Sequence, residues 1–200
     1  MVLSGSKFAS GLSSTSRSTS TIEPPQGAAH KSMNGPRISA FIALGSNRSS
    51  RAERIRRALF LLDGTPGTRV VDVSGLYETE PLYYRPQADF LNCVAAIETA
   101  LDPFGLLAAC RKIEGELGRI RTRRYGPREI DLDIIAYGRR MIRTPELTIP
   151  HPGLAGRRFV LLPLREIAPY WRHPALDRGV EELLAALKDY GRVVYQGEIG

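Results

Sequence analysis

The sequence predicts an α+β fold, and three observations support this prediction. Four apolar segments have the character of buried strands, and two further segments carry apolar residues at helical spacing. Along the chain these segments follow one another as β-α-β-β-α-β, joined by short polar connections. That order is typical of a ferredoxin-like βαββαβ antiparallel sheet with helices on one face. Further short elements are expected after it, as C-terminal additions.

The first half of this unit is a strand, a helix and a second strand. Residues 38–44 form a buried apolar run that ends at a Gly-Ser-Asn turn, residues 45–47. The apolar residues from Ile55 to Leu62 recur at helical spacing, and Ser49 or Ser50 is the expected N-cap. A Gly-Thr-Pro-Gly turn ends that helix, and alternating apolar residues predict the second strand over 68–77.

The second half begins with a strand predicted over 90–99. Asp102 and Pro103 then mark a helix start, with Asp as the cap and Pro at the first helical position. That helix is expected to reach Gly118, and an arginine-rich loop separates it from a strand over 129–137. The expected C-terminal additions are a strand pair near 141–142 and 147–149, a helix over 157–167 and an amphipathic helix over 180–187.

Residues 1–36 differ in composition from the rest of the chain. They are rich in Ser, Thr, Gly and Ala, and Glu23 is their only acidic residue. Such a segment buries too little apolar surface to offset its ordering entropy, so we predict a disordered extension before a single domain over 37–200. Its composition also fits an organellar transit peptide, but arginine is scarce and no amphipathic helix is evident. We expect a cytoplasmic protein and leave organellar targeting open.

The charge balance indicates an anionic partner. The chain has 28 Lys and Arg against 21 Asp and Glu, a net charge of +7. Nucleic acid, an anionic membrane surface and phosphorylated small molecules all fit this balance. No apolar run approaches the ~20 residues that span a bilayer, so we expect no membrane-spanning segment. Cys93 and Cys110 lie in apolar stretches and are predicted to be buried thiols.

An Asp-x-Asp pair is the first candidate for chemistry. Asp131 and Asp133 are two apart in a predicted strand, so they project from one face with carboxylates about 7 Å apart. Two like charges on one face repel each other, and a cation should therefore compensate them. Mg²⁺ prefers a few carboxylates together with substrate phosphates. Pairing of both aspartates with nearby arginines explains the motif equally well.

The loop before this strand favours the phosphate interpretation. It contains arginines at 119, 121, 123, 124 and 128, and Gly126-Pro127 turns it toward the Asp-x-Asp pair. Guanidinium groups match phosphate oxygens with paired donors. A solvated basic loop is the alternative interpretation. Glycine and charge also suit a lid that closes on a ligand.

Two further groups have the residue types of a binding site. Phe90 and Asn92 share a strand face after Thr79-Glu80-Pro81-Leu82, and an aromatic ring beside an amide suits a flat, hydrogen-bonding heterocycle. His151 lies between two prolines, before Arg157 and Phe159. Taken alone, the Phe90 and Asn92 pair is more often ordinary core packing, and a lone histidine is more often structural than catalytic.

Together these segments resemble the 6-hydroxymethyl-7,8-dihydropterin pyrophosphokinases of folate biosynthesis. The similarity is colinear from about residue 38 to residue 171, about two thirds of the chain. The matching segments are Ala43-Leu44-Gly45-Ser46-Asn47, Tyr77-x-Thr79-x-Pro81-Leu82, Phe90-Leu91-Asn92, Tyr125-Gly126-Pro127-Arg128-x-x-Asp131-Leu132-Asp133-Ile134, Pro150-His151-Pro152 and Arg157-x-Phe159. Tyr125 stands where the family often has tryptophan, and Phe90 where tyrosine also occurs.

The resemblance implies a reaction and a role for each matching residue. The enzyme would transfer pyrophosphate from ATP to the hydroxymethyl group of the reduced pterin, giving AMP. Asp131 and Asp133 would bind two Mg²⁺ ions, and Arg119 and Arg128 would act on the transferring group. The ATP side would consist of Glu114, Arg121, Tyr125, Ile134, Thr148, His151 and Arg157. The pterin side would consist of Thr79, Pro81, Leu82, Phe90, Asn92 and Phe159, with the two phenylalanines sandwiching the ring.

Two other functions share the predicted fold. Basic ferredoxin-like sheets bind RNA by stacking bases on exposed aromatic residues, but Asp131 and Asp133 would repel phosphate without metal. A polymerase-like palm for nucleotidyl transfer has similar carboxylates, but 200 residues leave no evident template-binding domain. We expect a monomer that binds ATP and a reduced pterin, with no nucleic acid or membrane partner.

Overall fold

A six-stranded antiparallel sheet forms the centre of the protein in the computed structural model, which describes residues 36–82, 86–119, 126–188 and 191–199. Its order is β5-β1-β4-β3-β8, and β2 also pairs with β4. In chain order the elements are β1 Ile38–Ser46, α1 Arg51–Asp63, β2 Thr68–Val73, β3 Leu76–Thr79, β4 Phe90–Thr99, α2 Pro103–Glu116, β5 Asp131–Tyr137, β6 Ile142–Arg143, β7 Thr148–Ile149, α3 Arg158–Ile167, α4 Val180–Ala185 and β8 Val193–Gly197. Apart from residue 36, the predicted N-terminal extension lies outside the described residues.

The predicted segments agree well with the observed β1, α1, β4, α2, β5 and α3. Asp102 caps α2 as expected, because its Oδ1 accepts from the N–H groups of Phe104 and Gly105 at 2.9 and 2.8 Å. Ser50 occupies the N-cap position of α1, but its side chain makes no capping hydrogen bond and its φ is +61°. The predicted strand pair is also present, since β6 pairs with β7.

The second predicted strand, 68–77, is wrong in one respect: it is two strands, β2 and β3. The interruption lies at Ser74 and Gly75, where the chain has one residue more than the facing part of β4. The Gly75 N–H turns out of the ladder and donates to Glu166 Oε1 at 2.9 Å. A bulge of this kind bends a strand, and β3 thereby reaches the end of β4 that carries Phe90 and Asn92.

The C-terminal strand β8 is absent from the sequence prediction. It pairs antiparallel with β3 and extends the sheet on that side. The amphipathic helix predicted over 180–187 is present in shorter form as α4. Both differences arise because the C-terminal segment packs on distant parts of the chain, which local periodicity does not report.

Each sheet face has its own apolar layer. The first layer buries α1 and α2 through Ile55, Ala58, Leu62, Leu106, Cys110 and Ile113 against Ala40, Ile42, Leu44, Ala95, Ile97 and Leu132. The second layer buries α3 and α4 through Val160, Leu161, Leu164, Val180 and Leu183 against Phe41, Val94, Ala96, Ile135 and Ala136. Cys93 and Cys110 are buried free thiols, as predicted. Within the described residues, no helix has the length and apolar character needed to cross a membrane.

Candidate functional site

A cavity of about 300 Å³ opens on the sheet face that also carries α3. Its wall includes residues of β1, β4 and β5, the end of β3 with the connection to β4, and the segment 151–160. Ten of the predicted site residues line it: Thr79, Leu82, Phe90, Asn92, Arg128, Asp131, Asp133, His151, Arg157 and Phe159. The fold therefore gathers side chains that are separated by up to 80 positions in the sequence.

Two small residues of the central strand β1 form the floor of this cavity. Gly45 lies between Asn92 of β4 and Asp131 of β5, and Ala43 lies between β4 and Asp133. A Cβ atom added to Gly45 would come within 2.8 Å of Asn92 Oδ1. The small floor therefore leaves open space between an amide on one side and two carboxylates on the other.

Asp131 is bound by two arginines. Arg119 contacts its Oδ1 at 2.9 Å, and Arg128 forms a short ion pair with its Oδ2. Arg119 also forms a short ion pair with Glu114, which is 6% exposed and accepts the Leu132 N–H at 2.8 Å. Glu114 lies in α2 and thus anchors Arg119 beside Asp131 from the sheet face that carries α1 and α2.

Asp133 is in a different environment on the same strand face. Within the described residues it makes no ion pair, and its half-buried side chain lines the cavity. Burial raises the pKa of its carboxyl to about 7, the neighbouring Asp131 adds to this shift, and Arg128 and Arg157 oppose it. A partly desolvated carboxylate beside a second carboxylate gains most from a cation, so this donor pair fits a hard divalent metal.

The carboxylate pair is not a complete metal cage. No group of three or more His, Cys, Asp or Glu side chains with metal-binding geometry occurs among the residues that the structure describes. Magnesium sites that hold polyphosphates have this form, because one or two carboxylates are completed by substrate oxygens and water. The residues present therefore fit a metal that binds together with a phosphorylated ligand.

His151 is held as a neutral hydrogen-bond donor. Its Nδ1 accepts the Gly153 N–H at 3.0 Å, which leaves the proton on Nε2. Burial, together with the positive charge of Arg157, lowers the pKa of His151 to about 4, although Asp131 opposes the shift. The ring therefore stays uncharged at neutral pH and offers an N–H to a ligand in the cavity.

The opposite side of the cavity has the features of a site for a planar heterocycle. The Asn92 amide donates to Thr79 Oγ1 at 2.9 Å, which fixes the side chain, and both residues are buried. Phe90 and Phe159 line the same cavity from β4 and α3. The guanidinium of Arg157 lies 5.9 Å from the centre of the Phe159 ring. An amide edge near two aromatic rings can bind a flat polar ring system.

Five predicted site residues lie beside the cavity and not in its lining. Arg119 contacts Asp131 and Glu114, and Pro81 is buried in the connection after β3. Thr148 lies in β7, and the Ile134 side chain packs in the layer beneath α1 and α2. Arg121 and Tyr125 lie outside the described residues.

Several residues that shape the site have no predicted role of their own. Asn47 bridges the segment before Phe90 and the main chain of Arg128. Ser46 donates to the Glu129 carbonyl at 2.6 Å, and Gln87 and Glu80 line the cavity. The Gly-Ser-Asn turn directly after a buried strand was the available signal, because polar residues at a strand end commonly serve a site.

Comparison with known proteins identifies a family. The model of the 7,8-dihydro-6-hydroxymethylpterin-pyrophosphokinase family matches residues 41–169, more than half of the chain. The chain is 48% identical over 128 residues to the 2-amino-4-hydroxy-6-hydroxymethyldihydropteridine pyrophosphokinase of Bacillus subtilis, covering 64% of this chain and 77% of that protein. It is 45% identical over 146 residues to the enzyme of that name from Pseudomonas aeruginosa, covering 73% and 90%.

Other relatives are much longer. The chain is 47% identical over 156 residues to the folic acid synthesis protein fol1 of Schizosaccharomyces pombe, which covers 78% of this chain but only 21% of that protein. A crystal structure of Plasmodium falciparum HPPK-DHPS has the same fold, with a TM-score of 0.61, 17% identity, and coverage of 77% of this chain and 46% of that one. The chain thus spans about a fifth of fol1 and less than half of that solved structure. The resemblance drawn from the sequence is confirmed: the chain belongs to the 7,8-dihydro-6-hydroxymethylpterin-pyrophosphokinase family.

Proposed function

We propose that this protein transfers pyrophosphate from ATP to the hydroxymethyl group of 6-hydroxymethyl-7,8-dihydropterin, giving AMP and the pterin pyrophosphate. One observation carries the proposal: a carboxylate pair faces an amide-and-aromatic pocket across a floor of Gly45 and Ala43. A polyphosphate on the carboxylate side and a pterin on the amide side would meet over this floor. The names of the bacterial relatives support the same reaction.

Asp131 and Asp133 are the proposed magnesium ligands, and two ions are expected. Bound Mg²⁺ would neutralise charge on the ATP phosphates and align them for in-line transfer. Asp133 supplies a half-buried carboxylate without an ion pair among the described residues. Asp131 supplies one that Arg119 and Arg128 hold in place, with Glu114 behind Arg119.

The chemistry requires alignment more than a protein nucleophile. The pterin hydroxyl oxygen forms a bond to the β-phosphorus, the bond from that phosphorus to the bridging oxygen of the AMP group breaks, and the hydroxyl proton is released. Arg128 lines the cavity beside the carboxylates and is suited to stabilise charge on the transferring group. Arg119 is the second proposed catalytic arginine, and its ion pair with Asp131 keeps it near the phosphates.

The remaining residues divide between the two substrates. His151, as a neutral N–H donor, and Arg157 are the proposed ATP-side contacts, with Thr148, Ile134, Arg121 and Tyr125 completing that side on the resemblance alone. Asn92 would read the polar edge of the pterin, helped by Thr79, Pro81 and Leu82. Phe90 and Phe159 would enclose its ring.

We also infer that the unit from β1 to β5 is a ferredoxin-like arrangement in which the second strand is divided into β2 and β3. The order β5-β1-β4 followed by β2 and β3 supports this reading. We propose that residues 37–200 are one domain, because the cavity lining is drawn from β1 through α3, and we propose that the protein acts as a monomer. Sedimentation velocity at micromolar concentration tests the monomer.

The RNA-binding alternative finds no support in the described residues. RNA-binding sheets of this type expose aromatic residues on the face opposite their two helices. Here α3 and α4 cover part of that face, and Asp131 and Asp133 lie in its open part beside Phe90, where they would repel phosphate without metal.

The testing experiment is a coupled assay for AMP with purified protein, Mg-ATP and 6-hydroxymethyl-7,8-dihydropterin. We expect AMP release that depends on the pterin and stops with EDTA. Pterin-independent ATP hydrolysis, or no AMP from folded protein with Mg²⁺, would contradict the proposed reaction. Retention on single-stranded RNA in the absence of Mg²⁺ would then favour the alternative.

A further inference from the structure

The Asn47 side chain joins the two sides of the cavity. Asn47 follows β1 directly and is 4% exposed. Its amide Nδ2 donates to Gln87 Oε1 at 2.9 Å and to the Ala88 carbonyl at 3.0 Å. Its Oδ1 accepts the Arg128 N–H at 2.7 Å, and its own N–H donates to the Arg128 carbonyl at 3.2 Å.

The two segments that Asn47 contacts serve different substrates in the proposed function. Gln87 lines the cavity, and Ala88 lies two residues before Phe90 on the pterin side. Arg128 lines the cavity on the phosphate side and forms the ion pair with Asp131. Asn47 is therefore bonded to the main chain on both sides, from one fixed point at the end of the central strand.

The hydrogen-bond capacity of this amide is well used. Both N–H groups of Nδ2 have partners, and Oδ1 has a partner at short distance. Buried polar groups that lose a partner are costly, and hydrogen bonds are stronger where water is excluded. If one segment moves and pulls Asn47 with it, the hydrogen bonds from Asn47 to the other segment are strained. Ligand binding that orders one segment should therefore favour the bound position of the other.

We propose that Asn47 is a positioning residue that couples the pterin side to the phosphate side, so that a bound nucleotide raises the affinity for the pterin and the reverse. The inference rests on the proposed function, because it assigns the two segments to the two substrates. It does not require Asn47 to touch either substrate.

The test is a pair of pterin titrations. The dissociation constant of 6-hydroxymethyl-7,8-dihydropterin is measured by isothermal titration calorimetry, with and without Mg²⁺ and α,β-methylene-ATP. The methylene group replaces the bridging oxygen of the bond that must break, so binding proceeds without transfer. The ratio of the two constants is the coupling factor. A variant that only loosens the pterin pocket raises both dissociation constants by the same factor and leaves their ratio unchanged.

Two variants and one control define the role of the side chain. Asn47→Ala removes the bonds to both segments. Asn47→Asp keeps an oxygen for the Arg128 N–H but has no N–H for Gln87 and Ala88, so it removes the pterin-side bonds. Ser46→Ala is the matched control. It deletes a buried hydrogen bond in the same turn, from Ser46 Oγ to the Glu129 carbonyl, and this bond does not involve Gln87 or Ala88. Circular dichroism at the assay temperature verifies folding of each protein.

We expect a wild-type coupling factor of about fivefold or more, within the usual range for coupled sites. Asn47→Ala and Asn47→Asp should reduce it below about twofold, and Ser46→Ala should keep the wild-type value. If Asn47→Ala does not fold, Asn47→Asp decides the matter. A wild-type factor near one, or a wild-type factor retained in the folded Asn47 variants, overturns the inference.

Failure of the proposed function gives a different result. Wild-type protein that binds no pterin, or forms no AMP from Mg-ATP and the pterin, overturns the assignment of the two sides and the coupling with it. Normal AMP formation together with unchanged coupling in the folded Asn47 variants overturns only the role of Asn47.

Discussion

Asp131 and Asp133 lie two residues apart on one face of β5, yet within the described residues only Asp131 is paired with arginines. Arg119 and Arg128 bind both oxygens of Asp131, whereas Asp133 lines the cavity half-buried and desolvation raises its pKa. In the metal-free protein we therefore expect the Asp131 carboxylate to stabilise the fold and the Asp133 carboxylate to destabilise it. Replacement of each by its neutral amide separates structural from catalytic effects.

Asp133→Asn should stabilise the metal-free protein at alkaline pH while abolishing AMP formation. Because the folded-state pKa is about 7 and the unfolded value is about 4, the folded protein binds more protons between these values. Wild-type stability relative to the variant therefore falls as pH rises through this window. We expect the variant to melt at least about 2 °C higher at pH 8 in EDTA, with little difference at pH 4.

Asp131→Asn is the matched control for that measurement. It weakens the ion pairs with Arg119 and Arg128, so it should lower the melting temperature in EDTA and also abolish turnover. The different environments of Asp131 and Asp133 would be contradicted if both variants changed the melting temperature equally and in the same direction. Full activity of either variant at saturating Mg²⁺ would contradict the metal assignment.

Arg128→Ala should lower the rate of transfer more than it weakens ATP binding. Loss of one charge-stabilising donor costs about 3 kcal/mol of transition-state stabilisation, a rate loss of ~10²–10³. Arg128 also holds Asp131, so the affinity for Mg²⁺ should fall at the same time. Steady-state kinetics at saturating Mg²⁺ separates kcat from KM. A loss confined to the KM for ATP would make Arg128 a binding residue.

Much of the fold could be predicted because most of its elements are defined locally. Apolar runs located β1, β4 and β5, and an Asp-Pro start located α2. The division between β2 and β3 was not predictable from alternation, because it depends on Glu166, 91 positions away, accepting the Gly75 N–H. The strand β8 depends likewise on pairing with β3, which lies over a hundred residues earlier.

In the site, too, relationships within one strand could be predicted, whereas contacts between distant residues could not. Alternation was sufficient to place Asp131 and Asp133 on one face, because that relationship is internal to one strand. The role of Asn47 was not predictable, since its partners lie 40, 41 and 81 positions away. The motif containing Asn47 drew attention to the turn, but only the packed structure shows which groups the amide joins.

Gly45→Ala should impair the pterin side selectively. The added Cβ would meet Asn92 Oδ1 at 2.8 Å, closer than such contacts normally occur, so the amide must shift and its hydrogen bond to Thr79 is disturbed. We expect the KM for the pterin to rise at least about tenfold, with a smaller change for ATP. Steady-state kinetics with each substrate varied in turn provides the measurement.

Gly115→Ala is the matched control for the glycine substitution. Gly115 lies in α2, and a Cβ added there meets nothing within 4 Å. Alanine is favoured over glycine in a helix by about 1 kcal/mol, so this variant should keep its kinetics and melt at a slightly higher temperature. Unchanged pterin kinetics in Gly45→Ala would show that the floor tolerates a methyl group.

His151→Gln should keep more nucleotide affinity than His151→Ala, because glutamine can still present an N–H where the neutral histidine does. The pKa of about 4 predicts no change in ATP binding from this residue between pH 6 and 8. The unfolded value is about 6.5, so wild-type stability relative to the Gln variant should fall as pH drops from about 6.5 to about 4. Calorimetric ATP titrations and melting curves across this range check both effects. An affinity that rises as pH falls through 6.5 would indicate a charged ring.

The C-terminal strand should affect the pterin side through Arg192. The Arg192 N–H donates to Glu80 Oε1 at 3.3 Å, and its guanidinium forms a short ion pair with Asp89. These acids lie at the two ends of the connection from β3 to Phe90, so Arg192→Ala should raise the KM for the pterin with little change for ATP. An exposed ion pair contributes at most about 1 kcal/mol, which limits the effect to about fivefold.

Arg172→Ala, which breaks exposed ion pairs with Asp177 and Glu182, is the control and should leave both KM values unchanged. Equal changes for both substrates in Arg192→Ala would mean that β8 stabilises the whole domain and not this connection.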